Sequence, residues 1–565
     1  MMKRQKLIIG KSKKTSLEKA KGRVILVSAA FFVLYMLVIA RVFDLAVLQS
    51  SHDYQAANSR AFEKTYRADI VDRNGILLAR SIGASSLYAD PKLILSPNET
   101  AEKLSQIFPD LTKNKLLEKF ESNKRFIWIK RNIENSELES VYQIGDPGLA
   151  VKEEYKRLYP QKNLTVHLVG SSGSDTQGLT GLEKSYNEIL NKSSEPLALT
   201  IDTRIQHILK REIQKTMSLH RAVGGGGLIM NVNTGEVTAA VSLPDYSPQD
   251  IGTVEKKSGF NRFSLGVYEL GSTFKIFSTA ALLEKTNTDM GKMYNVRESI
   301  KVGRFQIRDF HPKKRDLTVP EVFMHSSNIG SALMAEEVGT DYLKKFYSSL
   351  GLLEKPNTEL KEIGNPLIPS PWRDVHTLTA SYGHGIAVSP LQLVTAAAMI
   401  VNGGYKIQPR FVSSDDHSKF NERIISEKTS EKMNKLLRLV VKEGTGSKAE
   451  VEGYLVGGKT GTAEKPGING YQKDKLISSF LGFFPMNDPE YAVFVMIDEP
   501  EGIDQTFGYA TGGWVGAPTV SRVISSMTTV LGLQPSSENK DFGNSLMQYV
   551  KTEEDLKEEQ KIAAN

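Results

Sequence analysis

The sequence has no cysteine in its 565 residues and only three tryptophans. The lack of cysteine excludes disulfides and thiol nucleophiles and argues against a structural zinc site. Two catalytic signatures are also missing, the Gly-x-Ser-x-Gly turn of α/β-hydrolases and the His-Glu-x-x-His helix of zinc proteases. We therefore expect neither a metal nor a cofactor. The length exceeds that of one ordinary core, so two or more domains are expected.

Basic residues are scarce outside one terminal arm. The formal net charge is +7, but residues 1–23 hold nine Lys or Arg and one acid, which gives this arm +8 and the rest −1. A nucleic-acid-binding protein spreads its basic residues over a folded face. Because the excess lies in a short arm, we expect no nucleic-acid partner.

Long apolar runs are absent except for one, the uncharged segment 24–40. Its length is at the lower limit for a membrane-spanning helix, and a snorkelling Arg41 extends it. A cleaved signal peptide has the same layout, but no small-x-small cleavage site follows the run. Because basic residues stay on the cytoplasmic side, we expect a cytoplasmic tail over 1–23 and a single anchor over 24–44. All later residues are then expected on the extracytoplasmic side of the membrane.

The remainder of the chain divides by pattern into three parts. Residues 45–195 are polar, interrupted by turn signals and without a catalytic pattern, which predicts an accessory domain. From 196 to 535 the apolar periodicity sharpens, which predicts the main folded domain. Residues 536–565 are polar and charged, which predicts a loose tail.

Two groups of predicted strands flank a helical middle in this main domain. The strands are expected at 228–232, 237–241, 454–462, 478–484 and 491–497. The helices are expected at 201–217, 391–401 and 431–441. Strands at both ends with helices between them predict an α+β fold with one mixed sheet, whose edges come from distant parts of the chain.

The first candidate site is Ser272-Thr273-Phe274-Lys275. Residues three apart on a helix share a face, so a helix starting here would hold the Lys275 amine beside the Ser272 hydroxyl. A helix N-terminus and apolar surroundings both disfavour an ammonium ion, so Lys275 can act as a base. Two other Ser-x-x-Lys pairs lie in the charged terminal segments, where such burial is not expected.

The second candidate is Ser326-Ser327-Asn328, which follows Ser272 in the chain and has apolar neighbours on both sides. Alone, a Ser-x-Asn is more often a polar helix cap. Near a nucleophile, its hydroxyl can pass a proton to a leaving group and its amide can hold a substrate amide.

The third candidate is Lys459-Thr460-Gly461-Thr462. On an edge strand, Gly461 lets a peptide backbone approach and pair as an added strand, while Lys459 and the threonine hydroxyls meet a carboxylate.

An alternative for the same segment is a phosphate-binding loop, because residues 453–460 match Gly-x4-Gly-Lys-Thr. Strand-like residues lie inside that supposed loop, and glycine and proline oppose the helix that should follow it. His325 and His384 lie close to the candidate motifs, but a lone histidine is usually structural, and neither is assigned a role.

The three motifs, in this order and at the spacing set by Ser272, Ser326 and Lys459, resemble those of the penicillin-binding proteins. One departure is Leu270, where the family usually has proline. No glycosyltransferase-sized segment separates the anchor from the catalytic domain, so the resemblance is to the class B members. Six further segments resemble their motifs, two from the pedestal domain and four from the transpeptidase domain: 67–75, 178–183, 234–236, 261–262, 402–404 and 444–446.

The resemblance implies an elongated, non-catalytic pedestal of the dimerisation type over 45–195. A serine transpeptidase or β-lactamase-like domain would follow over 196–535, with a five-stranded antiparallel sheet between helical layers. The implied activity is peptidoglycan D,D-transpeptidation, in which Ser272 attacks the D-Ala-D-Ala carbonyl with Lys275 as proton acceptor. Ser326 and Lys459 would relay the proton to the departing D-Ala.

The resemblance also implies binding roles. Asn328 would hold the donor amide, Thr460 and Thr462 its carboxylate, and the backbone N–H groups of Ser272 and Thr462 the oxyanion, beside Gly461. β-Lactams would acylate the same serine.

The compact pedestal, the lack of C-terminal repeats and the overall length resemble the division-specific type, placed at the septum in the bacterial inner membrane. A polytopic glycosyltransferase and other divisome membrane proteins are the implied partners. Three alternatives stay open: an elongation-specific transpeptidase, a D,D-carboxypeptidase or β-lactamase, and a largely non-catalytic divisome scaffold.

Overall fold

The described part of the chain contains an N-terminal helix and a large folded region. The computed structural model describes residues 11–43, 66–303, 305–414, 422–467, 470–535, 542–551 and 555. The chain divides into two units, Met1–Tyr66 and Arg67–Asn565. In the first unit, helix α1 (Lys11–Phe43) contains a stretch, Lys21–Arg41, that is long and apolar enough to cross a membrane.

The N-terminal part of the second unit is built on a five-stranded sheet centred on one long strand. Its strands are β1 (Ile70–Val71), β2 (Leu77–Ala89), β3 (Ile127–Ile133), β4 (Leu149–Leu158) and β5 (Leu197–Ala198). Strand β2 pairs with β1, β3 and β4, and β5 pairs parallel with β1. Helices α2 (Pro97–Ile107), α3 (Lys113–Phe120) and α4 (Asn135–Ile144) form a small apolar core with this sheet.

A buried ionic cluster ties the two ends of this region together. The Glu183 carboxylate accepts hydrogen bonds from Arg67 Nε at 2.6 Å and from Arg157 Nε at 2.7 Å. All three side chains are at most 2% exposed. The predicted accessory domain ends at residue 195, whereas β5, the last strand of its sheet, begins at Leu197. The position of this domain boundary stays a prediction.

A second five-stranded sheet forms the centre of the region that holds the three motifs. Its strands are β6 (Gly224–Asn231), β7 (Val237–Leu243), β12 (Gly457–Gly467), β13 (Gly470–Phe484) and β14 (Tyr491–Asp498). They lie in the order β12-β13-β14-β6-β7. All four pairings are antiparallel, which confirms the sheet that the resemblance implies. The mixed sheet predicted from the pattern is wrong, because short connections join β6 to β7 and β12 to β13 to β14 and so impose antiparallel pairing.

Helical layers cover both faces of this sheet. Alternate residues of β14 enter opposite cores, Val493 and Val495 on one face and Phe494 and Met496 on the other. The first core includes α8 (Thr203–Leu219) and α17 (Gly516–Leu531), and the second includes α10 (Lys275–Thr286), α12 (Asn328–Val338), α15 (Pro390–Val401) and α16 (Glu427–Glu443). The helices predicted at 201–217, 391–401 and 431–441 are thus confirmed, with small shifts at their ends.

Shorter elements complete the described chain. The helices are α5 (Val166–Val169), α6 (Gly181–Ser185), α7 (Asn187–Lys192), α9 (Lys256–Gly259), α11 (Val319–Met324), α13 (Thr340–Ser349) and α14 (Asp374–Ala380). The strands are β8 (Met293–Asn295), β9 (Ile300–Val302), β10 (Phe305–Ile307) and β11 (Asp316–Thr318), which form two small sheets of two strands each.

Part of the predicted loose tail is folded. Leu546 and Val550 are buried in the main core. Tyr549 O accepts a hydrogen bond from Thr318 Oγ1 at 2.7 Å, and Lys551 N donates to Glu321 Oε1 at 2.9 Å. The prediction of a loose tail is therefore wrong for residues 542–551, because apolar side chains of this segment are buried in the main core beside α11. Residues 536–541 lie outside the described chain.

Candidate active site

The Ser272 motif lies at a tight turn that leads into α10. Residues Gly271–Phe274 form a 3-10 turn, and the α-helix begins at Lys275. A helix therefore starts at this motif, as predicted, and its first turn is 3-10. Gly271 has φ +56°, and a Cβ on it would lie 2.5 Å from the carbonyl oxygen of Thr462. Glycine is required here because the turn is pressed against β12 in a left-handed conformation.

Lys275 is fully buried and lies among oxygen atoms of two motifs. Its Nζ is 2.9 Å from Ser272 Oγ, 3.1 Å from Ser326 Oγ and 2.7 Å from both Ser326 O and Asn328 Oδ1. Burial holds the pKa of Lys275 well below its usual value, and the nearby Lys459 lowers it further, while the negative charge of Asp309 raises it. A neutral amine beside a serine hydroxyl is suited to accept its proton.

Ser326 connects the two buried lysines. Its Oγ is 3.1 Å from Lys275 Nζ and 2.9 Å from Lys459 Nζ. Burial lowers the pKa of Lys459 to about 7. Ser326 has φ +58°, a conformation that costs a non-glycine residue free energy and is retained mainly at functional sites. The hydroxyl thus bridges two amines whose buried surroundings favour the uncharged form.

Sequence reasoning missed Asp309, which holds the Ser-x-Asn motif in place. Its carboxylate accepts hydrogen bonds from Ser327 Oγ at 2.8 Å, Asn328 N at 2.6 Å and Ile329 N at 3.0 Å. It therefore caps the start of α12, where a negative charge also complements the helix dipole. A lone aspartate in the segment before α11 carries no sequence pattern that reveals this role.

The Lys-Thr-Gly segment lies on β12, which is an edge strand of the sheet, as predicted. Gly461 pairs with Ser479 in the neighbouring strand, and a Cβ on Gly461 would lie 2.7 Å from the carbonyl oxygen of Leu270. Thr460 Oγ1 is 3.0 Å from Thr445 Oγ1, and Gly512 N donates to Thr462 Oγ1 at 2.9 Å. Because a strand occupies the position at which a phosphate-binding loop needs a helix, the nucleotide-binding alternative fails.

One cavity of about 1060 Å³ connects all three motifs. Its lining includes Ser272, Ser326, Asn328, Thr460 and Thr462. The other three predicted residues lie next to these: Lys275 and Lys459 are buried and bonded to Ser326, and Gly461 separates the two threonines on β12. The structure therefore brings all eight predicted site residues together.

The cavity also has a wall that carries no predicted residue. It contains Glu269, Tyr382, His384 and Tyr471, and His325 lines the cavity elsewhere. Burial lowers the pKa of His325 to about 4, which keeps this imidazole neutral. Among the residues that the structure describes, no group of three or more histidine or acidic side chains is arranged to hold a metal ion.

Comparison with known proteins places both regions in one family. Residues 225–525 match the model of the penicillin-binding protein transpeptidase domain, and residues 63–204 match that of the penicillin-binding protein dimerisation domain. This pair of domains defines a class B type of architecture. The chain belongs to the penicillin-binding proteins, which confirms the resemblance carried by the motifs.

Individual relatives agree over most of the chain. The probable peptidoglycan D,D-transpeptidase FtsI of Caulobacter vibrioides is 36% identical, with 85% of this chain and 84% of the relative covered. The probable peptidoglycan D,D-transpeptidase PenA of Neisseria gonorrhoeae is 30% identical, with 91% and 94% covered. A putative peptidoglycan glycosyltransferase from Atopobium parvulum shares the fold, with a TM-score of 0.65, 22% identity and coverage of 83% and 99%.

Proposed function

We propose that this protein is a peptidoglycan D,D-transpeptidase, which cross-links stem peptides through a seryl acyl-enzyme and releases D-Ala. The observation that carries the proposal is the 2.9 Å contact between Ser272 Oγ and the fully buried Lys275 Nζ, at the edge of a sheet and inside a large cavity. Relatives from Caulobacter vibrioides and Escherichia coli are named peptidoglycan D,D-transpeptidases.

In the acylation step, neutral Lys275 takes the proton of the Ser272 hydroxyl, and Oγ attacks the carbonyl carbon of the penultimate D-Ala. The negative charge that develops on the carbonyl oxygen is stabilised by the backbone N–H groups of Ser272 and Thr462. Because the turn at Gly271 already presses against β12, these two groups need little rearrangement before reaction.

The leaving group needs a proton, because D-Ala departs as an amine. Ser326 Oγ lies between the two lysines and can donate its proton to this nitrogen while it receives another from Lys275 or Lys459. The C–N bond of the donor breaks, the ester bond to Ser272 remains, and the proton taken from Ser272 leaves with D-Ala. The lowered pKa of Lys459, about 7, suits a group that exchanges protons near neutral pH.

The donor peptide binds as an added strand on the free edge of β12. Asn328 meets its amide, Thr460 and Thr462 meet its terminal carboxylate, and Gly461 allows the close backbone approach. A β-lactam presents a strained amide and a carboxylate in a similar arrangement, so it acylates the same serine. An amine of a second stem peptide then resolves the natural ester and forms the cross-link.

The same proposal covers the cellular setting. Helix α1 anchors the protein in the bacterial inner membrane, with the tail 1–23 in the cytoplasm and the catalytic domain outside. We assign it to the division septum, because relatives named FtsI from Caulobacter vibrioides and Escherichia coli match 85% and 84% of this chain. A polytopic glycosyltransferase and divisome membrane proteins are the proposed partners, bound through the anchor and the pedestal.

Intact-protein mass spectrometry after exposure to benzylpenicillin tests the enzymatic core of the proposal. We expect one adduct on the wild type, mapped to the peptide that contains Ser272, and none on Ser272→Ala. A wild type that takes no adduct contradicts the proposal and favours a scaffold. Product analysis with a stem-peptide donor and acceptor then separates cross-linking from hydrolysis, and purely hydrolytic products indicate a carboxypeptidase.

A further inference from the structure

The wall that carries no motif contains an oriented carboxylate three positions before the nucleophile. Glu269 Oε1 accepts hydrogen bonds from Tyr471 OH at 2.9 Å and Gly385 N at 3.1 Å. Its Oε2 lies 3.6 Å from His384 Nδ1. The Glu269 side chain is 16% exposed and lines the cavity. Among the described residues, no lysine or arginine forms an ion pair with it, so its negative charge is held in place without a permanent cationic partner.

This wall contacts the backbone of the nucleophile turn directly. Gly383 has φ +77°, and a Cβ placed on it would overlap the carbonyl oxygen of Gly271. The residues on either side of Gly383, Tyr382 and His384, both line the cavity. The His384 ring is stacked with that of Tyr382, with centroids 6.3 Å apart, and tilted against that of Tyr471, with centroids 4.7 Å apart. A ligand held by this wall is therefore close to an acyl group on Ser272.

The other acidic residues of the cavity either have a hydrogen-bond or ion-pair partner already or lie farther along the β12–β13 hairpin. Asp309 caps α12, Glu499 pairs with Lys465 at 2.7 Å, and Glu501 pairs with Arg221 at 3.4 Å. Glu464 on β12 and the exposed Asp474 on β13 lie in the hairpin segment beyond Thr462. Glu269 both accepts two hydrogen bonds that fix its carboxylate and lies immediately before the nucleophile turn in the chain.

Transpeptidation requires two peptides in one cavity, and the donor uses the side formed by β12 and the start of α12. Two lysines, Lys275 and Lys459, lie under that side. The acceptor brings a primary amine, which is an ammonium ion in water at neutral pH. A site for this cation needs a negative group without a lysine or arginine partner, and Glu269 is such a group in the same cavity.

We propose that Glu269, oriented by Tyr471 and flanked by His384, binds the ammonium group of the acceptor stem peptide beside the acyl-Ser272 ester. This inference rests on the proposed transpeptidase function. The ammonium gives one proton to solvent through Glu269, and its nitrogen attacks the ester carbon. The C–N bond forms and the bond to Ser272 Oγ breaks. Lys275 takes the second proton from the nitrogen and returns it to Oγ, so that the free serine is restored.

The test separates the two half-reactions. Acyl-enzyme forms from the thioester N-benzoyl-D-alanylthioglycolate, and D-alanine serves as the acceptor amine. In Glu269→Gln, we expect acylation by benzylpenicillin and hydrolysis of the thioester within about twofold of wild type, because glutamine still accepts from Gly385 N. Aminolysis should need about tenfold or more D-alanine for the same rate, because the charge that attracts the ammonium is gone. Tyr471→Phe should shift the D-alanine dependence in the same direction by a smaller factor.

Two controls define the result. Glu501→Gln removes a carboxylate of the same cavity that is paired with Arg221, and it should leave the D-alanine dependence unchanged. Glu269→Asp keeps the charge and should recover part of the aminolysis. An unchanged D-alanine dependence in Glu269→Gln, or a parallel loss of benzylpenicillin acylation, would overturn the subsite. A wild type that forms no acyl-enzyme would instead overturn the proposed function, and the subsite with it.

Discussion

Replacing Asp309 by alanine is expected to slow the acylation of Ser272 while the domain stays folded. The carboxylate receives three hydrogen bonds, from Ser327 Oγ, Asn328 N and Ile329 N. Loss of a helix cap costs about 0.5 to 2 kcal/mol, and hydrogen bonds to charged groups contribute about 1.5 to 3 kcal/mol each. The turn that carries Ser326 and Asn328 would therefore lose roughly 2 to 3 kcal/mol of local stabilisation.

This local loss translates into a rate. Since about 1.36 kcal/mol corresponds to a tenfold change, acylation should slow by roughly 30-fold to 150-fold if the turn must be restored before reaction. The assay is the pseudo-first-order rate of labelling by fluorescent penicillin. Asp309→Asn should fall between wild type and alanine, because its amide oxygen still caps the helix without the charge.

Asp316→Ala is the matched control, because Asp316 lies in the same connection between α10 and α11 but pairs with Arg297 at the surface. Its acylation rate should stay close to that of wild type, since exposed ion pairs contribute little. Acylation of Asp309→Ala within twofold of wild type would refute the argument that this cap positions the Ser-x-Asn motif. An equal effect of the two alanine variants would refute it as well.

Three further predictions concern charge, backbone approach and the pedestal. The positive charge of Lys459 lowers the pKa of Lys275 and the negative charge of Asp309 raises it. The pH at which acylation reaches half its maximum should therefore move upward in Lys459→Met and downward in Asp309→Asn. Both shifts are measured by pH-rate profiles of acylation. Gly461→Ala should slow penicillin labelling by about tenfold to a hundredfold, because its Cβ would push β12 away from the nucleophile turn. Glu183→Gln should lower the free energy of unfolding in urea by about 3 to 5 kcal/mol, because two buried guanidinium groups lose their counter-charge.

Local sequence patterns were sufficient for many elements of the fold. Alternating and continuous apolar runs predicted all five strands of the catalytic sheet, and helical periodicity predicted α8, α15 and α16 to within a few residues. The strand around Lys-Thr-Gly was also expected, whereas its position at the edge of the sheet was a condition that the sheet order meets. Such features depend on neighbouring residues, so a short window of sequence contains the necessary information.

Other features required contacts between distant parts of the chain. The turn at Ser272 is 3-10 instead of α-helical, because Gly271 must pack against Thr462, which lies on a strand near the other end of the catalytic domain. The folded segment 542–551 depends on cover supplied by α11. No local sequence pattern predicts either of these two contacts.

The amino-acid sequence by itself determined the anchor candidate, the three motifs, the family and most elements of the catalytic sheet. Only the tertiary structure decided that Asp309 caps the Ser-x-Asn helix, that Ser326 bridges two buried lysines, and that Glu269 lines the same cavity as Ser272. The physical reason is that charge, burial and hydrogen bonding at a site depend on distance in space. Such distances are set when the helical layers close over both faces of the sheet, and no property of an isolated segment specifies them.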